Sequence, residues 1–309
     1  MKIKSIALIY NPAGGSANIE VVMQLKNALA GHRVELLATS PEPDSAFKLT
    51  RAALQRDNDL VVAVGGDGTA CQVASALIYE EGKLCSIPMA VFPGGTGNLF
   101  ARSFFPRPTV ADFAALILHG EPQCIDMVAV EYTDLNRVQH KQYCLVGIGL
   151  GKVSDAISGA SPVHKRIFGK LVYVSRVSLA CVLPGADQFE LQSGEGQIVT
   201  NAAAVFALNV TPPSLGMIAR GCNASDGLLD VALFEGANFR QMGNIASCLA
   251  FGRPERSPHY RTLRTSELII KSQKTMLPNI DGDPGYETRE VKLRVVPQAV
   301  RMVLSKGAA

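Results

Sequence analysis

The sequence predicts two domains of different class: an α/β N-terminal domain with a parallel sheet over residues 1–122, and a larger, mostly antiparallel, β-sandwich-like C-terminal domain over 123–297. Three observations carry this. With 309 residues, 47% of them hydrophobic, the chain can bury two cores. Its first third alternates short apolar runs with amphipathic stretches, the rhythm of β-α-β units. Beyond Pro122 strand-like runs dominate.

In chain order, residues 3–10 form a strand, 17–30 a helix, 34–38 a strand, 44–56 a helix and 60–64 a strand, with a further strand at 89–93. The LVVAV run at 60–64 is apolar on both faces, as a strand is when helices cover each side of its sheet. In the second domain, strands are expected at 125–132, 142–148, 196–210, 228–235, 262–271 and 291–296. Helices are expected at 163–182, where Ile167, Leu171, Val174, Val177 and Cys181 recur at helical spacing, and at 239–251. Val300, Met302 and Leu304 alternate like a last strand. A cleft between the two domains is the expected place for a ligand.

Composition excludes several classes. Lys plus Arg number 30 against 27 Asp plus Glu, a net charge of +3, so no field draws the chain onto nucleic acid. The seven cysteines are scattered and never spaced as CxxC, against a disulfide framework or zinc site and in favour of a reducing cytoplasm. The apolar run before Asn11 is too short for a signal-peptide core. Nothing approaches the roughly 18 apolar residues of a membrane span, so membrane contact is expected to be peripheral. The five histidines form no HExxH pair, and no GxSxG elbow supports a hydrolase.

Three glycine-rich turns follow predicted strands: NPAGG at 11–15, GGDGT at 65–69 and GGTGN at 94–98. In an open parallel sheet such turns line the crevice at the carboxyl ends of the strands. Glycine lets the backbone approach a ligand closely, and amides at a helix start favour an anion, so phosphate is the natural guest. The absence of GxxxxGK[ST] removes a Walker-type lysine and leaves a cradle of backbone and threonine. One such turn is as readily a plain connector; three on one edge, one holding an acid, point to a ligand.

These turns, followed by NASDGLLD at 223–230 and DGDP at 281–284, resemble in order and spacing the bacterial diacylglycerol kinase and lipid kinase family, which includes sphingosine kinases. The resemblance covers essentially the whole chain. It implies the fold shared by NAD kinases and diacylglycerol kinases, ATP and Mg²⁺ as cofactors, and a lipid hydroxyl as acceptor. It also implies that a C-terminal segment of about 298–309 returns to the first domain. Carried over by position, nucleotide binding falls on Asn11, Pro12, Ala13, Gly14, Gly15, Thr39, Gly65, Gly66, Asp67, Gly68, Thr69, Ala70, Cys71 and Thr96. Asp67 is expected to hold Mg²⁺ and to serve that ion rather than a core, so its loss would leave the fold intact. The family's structural magnesium site is matched by Asp226 with the carbonyls of Asn223 and Leu228. Without the resemblance, that stretch reads as a polar turn entering a strand.

The general base implied by the resemblance falls on Asp283, an aspartate where the family usually has glutamate, one methylene shorter. A second departure is Leu99, where many members carry aspartate, so metal coordination is expected to lean on Asp67 and Asp281. GIGLG at 147–151 has the wrong spacing for a dinucleotide fingerprint and is expected to be a tight backbone feature. Two basic groups, His164, Lys165, Arg166 and Lys170, then Arg253, Arg256, Arg261 and Arg264, read first as solvated faces, with anionic lipid headgroups as the alternative. The leading expectation is an ATP-dependent lipid kinase, cytoplasmic and peripheral at the inner membrane face. NAD kinase and a catalytically weak nucleotide-binding regulator are the alternatives, and a homodimer is left open.

Overall fold

The computed structural model describes residues 3–13, 19–78, 87–105, 108–152, 185–212, 218–219, 221–236 and 238–305. Contacts divide the chain into two compact units, Met1–Met127 with Pro297–Ala309, and Val128–Val296.

The first unit runs β1 (Ser5–Tyr10), α1 (Ile19–Ala28), β2 (Arg33–Ala38), α2 (Ser45–Leu54), β3 (Leu60–Gly65), α3 (Asp67–Leu77), β4 (Met89–Pro93), α4 (Leu99–Phe104) and α5 (Val110–His119). Its strands pair in parallel in the order β2-β1-β3-β4. The end of the chain adds beside β4, with Met302 opposite Met89. Every residue of β3 is buried, the outcome for a strand covered on both faces. Val22 and Leu25 of α1 and Phe113 and Ile117 of α5 close over Ile6, Leu8, Leu60 and Val62, with Val303 in the same core. Because β2 lies on one side of β1 and β3 on the other, the carboxyl ends of β1 and β3 form the point where the winding reverses, which is where open α/β sheets hold ligands.

The second unit is a sandwich. The chain enters it within β5 (Glu121–Asp134) and leaves it within β16 (Thr288–Leu304). Between them come β6 (Gln139–Cys144), β7 (Gly147–Leu150), β8 (Asp187–Ser193), β9 (Gly196–Ala202), β10 (Ala204–Leu208), β11 (Leu229–Phe234), α6 (Phe239–Ala250), β12 (Tyr260–Thr265), β13 (Glu267–Met276), β14 (Asn279–Ile280) and β15 (Asp283–Pro284). One layer is β6-β5-β16-β13-β8-β9, the other β12-β11-β10-β7-β14-β15. Val128, Val130, Phe189, Leu191, Val205, Val231, Leu268, Ile270 and Val291 meet in one buried core drawn from both layers. Helix α6 places Met242, Ile245 and Leu249 in a further cluster with Phe206 and Phe234.

The predicted class therefore holds, with corrections in detail. The single strands expected at 142–148, 196–210 and 262–271 are each two strands, β6 and β7, β9 and β10, β12 and β13, and each pair is split between the layers. Both halves bury residues in the same core, so the apolar pattern runs straight through the corner and hides it. The helix expected at 163–182, with its basic residues, lies outside the described residues.

Candidate active site

Register builds the edge of the first unit from which the glycine turns leave. Tyr10 lies level with Ala38 and Val64, and Gly65 with Pro93, so the residues that follow leave the sheet side by side. Backbone bonds tie these exits together: Asn11 N–H donates to Val64 O at 3.2 Å, Thr39 N–H to Tyr10 O at 2.9 Å, and Gly94 N–H to Gly65 O at 2.8 Å. Asn11 Oδ1 accepts from Ala13 N–H at 2.9 Å, folding the first turn over itself. Pro12 and Ala13 are exposed, while Gly14 and Gly15 lie outside the described residues. Gly68 and Thr96 are exposed, Thr69 and Cys71 half-buried, and Ala70 is buried.

The second and third turns pack backbone against backbone. A Cβ on Gly95 would lie 2.4 Å from Gly66 Cα, and one on Gly65 would lie 2.6 Å from Thr69 Oγ1. Glycine at these positions is therefore demanded by close approach rather than by an unusual φ. Asn98, in the left-handed region at φ 50°, closes the third turn: its Oδ1 accepts from Gly95 N–H and its Nδ2 donates to Gly95 O, each at 2.7 Å. Sequence reasoning passed over Asn98, although asparagine ending a glycine turn is the residue type that tolerates this conformation.

Asp67 departs from expectation. Its Oδ2 accepts from Leu99 N–H and its Oδ1 from Phe100 N–H, both at 2.9 Å, so the carboxylate caps α4 from the neighbouring turn. The charge thus serves the fold directly, which corrects the expectation that Asp67 is structurally dispensable. Leu99, noted for lacking a carboxylate, contributes its N–H to the one at Asp67.

In the second unit, the DGDP turn separates two acids. Asp281 is 9% exposed at φ 52°, and its carboxylate accepts from Leu145 N–H at 2.8 Å, Val146 N–H at 2.8 Å and Gly147 N–H at 3.1 Å. It fastens the turn to the start of β7, a structural task the sequence did not signal. Asp283 is exposed and shows no side-chain hydrogen bond or ion pair among the described residues. Behind it, Gly285 N–H donates to Pro278 O at 2.7 Å, and Tyr286 N–H reaches Tyr132 Oη at 3.3 Å. The Tyr286 ring stacks on His140 at 4.5 Å, and His140 on Tyr132 at 4.9 Å. His140 Nε2 meets Asp134 Oδ2 at 3.0 Å, a hydrogen bond that holds the Asp134 carboxyl below its ordinary value. This brace around Asp283 escaped sequence reading because its members come from three separated stretches. GIGLG is a tight strand start: Gly147 has φ 144°, and a Cβ there would lie 2.3 Å from Ala207 O.

At the NASDG turn the polar side chains are engaged within the chain. Asp226 Oδ1 accepts from Leu228 N–H at 3.0 Å, while its Oδ2 pairs with Arg264. Asn223 Oδ1 accepts from Ser225 N–H at 3.0 Å. Arg264 stands directly opposite Asp230 in the β11–β12 register, and its Nε lies 3.1 Å from Asp230 Oδ1. Burial pushes the Asp230 carboxyl up and the Arg264 charge pulls it down. The guanidinium supplies from within the chain the positive charge a cation would bring. Among the described residues no cluster of three or more His, Cys, Asp or Glu could hold a metal.

The diacylglycerol kinase catalytic domain family matches residues 5–130. A diacylglycerol kinase of Bacillus subtilis is 25% identical over 291 residues, covering 92% of this chain and 91% of the relative. One of Staphylococcus epidermidis is 23% identical over 288 residues, covering 91% and 86%. Among solved structures, a diacylglycerol kinase from Bacillus anthracis has a TM-score of 0.77 at 18% identity with both chains covered in full. Yeast NADH kinase complexed with NADH reaches 0.57 at 12% identity, covering 100% of this chain and 85% of its own. At these identities the structures speak for the fold alone. With residues 5–130 matching the catalytic-domain family and relatives aligned over nearly the full length, the chain is similar throughout to bacterial diacylglycerol kinases.

Proposed function

We propose that the protein is an ATP-dependent lipid kinase that transfers the γ-phosphoryl group to a hydroxyl of diacylglycerol or a related lipid. The observation that carries this is the aligned edge of the first unit, where three glycine turns leave adjacent parallel strands and two of them touch backbone to backbone. Relatives named diacylglycerol kinase support the acceptor class.

In this reading Asn11, Thr39, the amides of Gly65, Gly66 and Gly68, and the hydroxyls of Thr69 and Thr96 hold and orient the nucleotide phosphates. Magnesium bound with the nucleotide would supply charge neutralisation for the transferred group. Asp67 would hold it through water, since each carboxylate oxygen offers two lone pairs and one amide on each does not exclude that contact. Asp283 takes the proton from the acceptor hydroxyl as its oxygen attacks phosphorus and ADP leaves. For that step the hydroxyl must come within hydrogen-bond reach of Asp283, which its exposure allows.

The test is incubation of purified protein with labelled ATP, Mg²⁺ and a panel of diacylglycerol, monoacylglycerol, ceramide, sphingoid base, phosphatidylglycerol and NAD. Label entering a neutral lipid, and lost with Asp283→Asn, is the expected result. Label on NAD alone would make the protein an NAD kinase, and ATP binding without transfer to any acceptor would leave a nucleotide-binding regulator.

A further inference from the structure

Helix α6 buries Met242, Ile245 and Leu249 and turns Phe239, Arg240, Gly243, Ser247 and Ala250 outward. Its twelve residues include no Asp or Glu. Phe239 is 61% exposed, and Phe251, at the helix end, is 84% exposed, more than any other large hydrophobic side chain described. A single exposed apolar residue means little, but two aromatics on one helix face without acids need a reason.

The helix end is rigid. Arg253 N–H donates to Cys248 O at 2.8 Å and Gly252 N–H to Leu249 O at 2.9 Å, with Gly252 at φ 64°, which is the Schellman arrangement. Ser257 Oγ donates to Asn244 Oδ1 at 2.6 Å, tying the following turn back to the helix. Phe251 and Arg253 are therefore presented outward from a fixed backbone.

Charge separates this face from its neighbours. Arg261 pairs with Glu235 at 3.4 Å, and Arg264 with Asp226 and Asp230. Arg240, Arg253 and Arg256 have no ion pair among the described residues, and Glu255 is the one acid between Phe239 and Arg256. Exposed aromatics beside unpaired arginines and little opposing charge match the interface of an anionic bilayer, where rings enter the headgroup boundary and cations meet phosphate.

We propose that the outer face of α6 with the turn after it, led by Phe251, Arg253 and Arg256, is the surface by which this protein docks on anionic membranes. The full-length protein would be sedimented with vesicles of phosphatidylcholine alone and of phosphatidylcholine mixed with phosphatidylglycerol, at low and raised salt. Neither acceptor nor nucleotide is present, so the outcome is independent of the kinase reading. Binding to the anionic vesicles only, weakened by salt, is expected. Phe251→Ala should weaken it roughly tenfold, and Arg253→Gln with Arg256→Gln roughly twentyfold, with unchanged thermal melts. A wild type that stays in the supernatant, or variants that pellet as well as wild type, would overturn the proposal. So would a Phe251→Ala variant that converts a dimer to monomer while vesicle binding is unchanged, because the face would then belong to a second copy.

Discussion

The GGDGT turn of the first unit and the DGDP turn of the second each carry an aspartate whose oxygens accept amides from a distant stretch, yet they divide labour differently. In the first turn one acid, Asp67, both caps α4 and is the candidate for the metal. In the second, Asp281 does the fastening with three amides while Asp283, two residues on, is exposed and unengaged among the described residues. An acid in a glycine turn is thus scaffolding first, and in the second turn the carboxylate that the backbone leaves unclaimed is the one proposed for chemistry.

That contrast breaks most visibly at Asp283. Asp283→Asn should lower turnover by roughly a hundredfold to ten-thousandfold with the urea midpoint unchanged. If the midpoint moved with the rate, Asp283 would be a second fastener. Asp281→Ala should show the reverse character: three buried donors lose their acceptor, costing about 4 kcal/mol in equilibrium unfolding, with activity falling only as the fold does. Asp67→Ala sits between them. Losing two charge-assisted bonds at a helix start should cost about 2 kcal/mol and also reduce turnover, whereas a rate loss at full stability would make the capping incidental. The smallest effect is expected at Arg264, half-exposed beside two carboxylates. Arg264→Met should cost about 1 kcal/mol, and without nucleotide Mg²⁺ should raise the melting temperature of the variant but not of wild type. A wild type stabilised by Mg²⁺ in that assay would restore the metal site at Asp226.

What the sequence showed and what it hid follow from distance along the chain. The strands of the first unit were legible because each is a short apolar run beside an amphipathic one, and the glycine turns because each follows its strand directly. Strand β8 was missed because DQFELQS buries only alternate residues in a polar setting. The capping by Asp67 acts 32 and 33 residues away and the fastening by Asp281 reaches 134 to 136, so neither leaves a local pattern. The Arg264 pairing depends on register between β11 and β12, which alternation does not reveal.

The close seam between Gly66 and Gly95 sets where this protein can be redesigned. A library aimed at a different ligand on this edge cannot place a side chain there, since even a methyl group on Gly95 would fall within 3.0 Å of Gly66 Cα and N. Asn98 is equally closed, because its amide must both give and accept within one turn. Thr39 and Ala13 lie on the same edge without such crowding, one half-buried and one exposed, and variation is best introduced at those two positions.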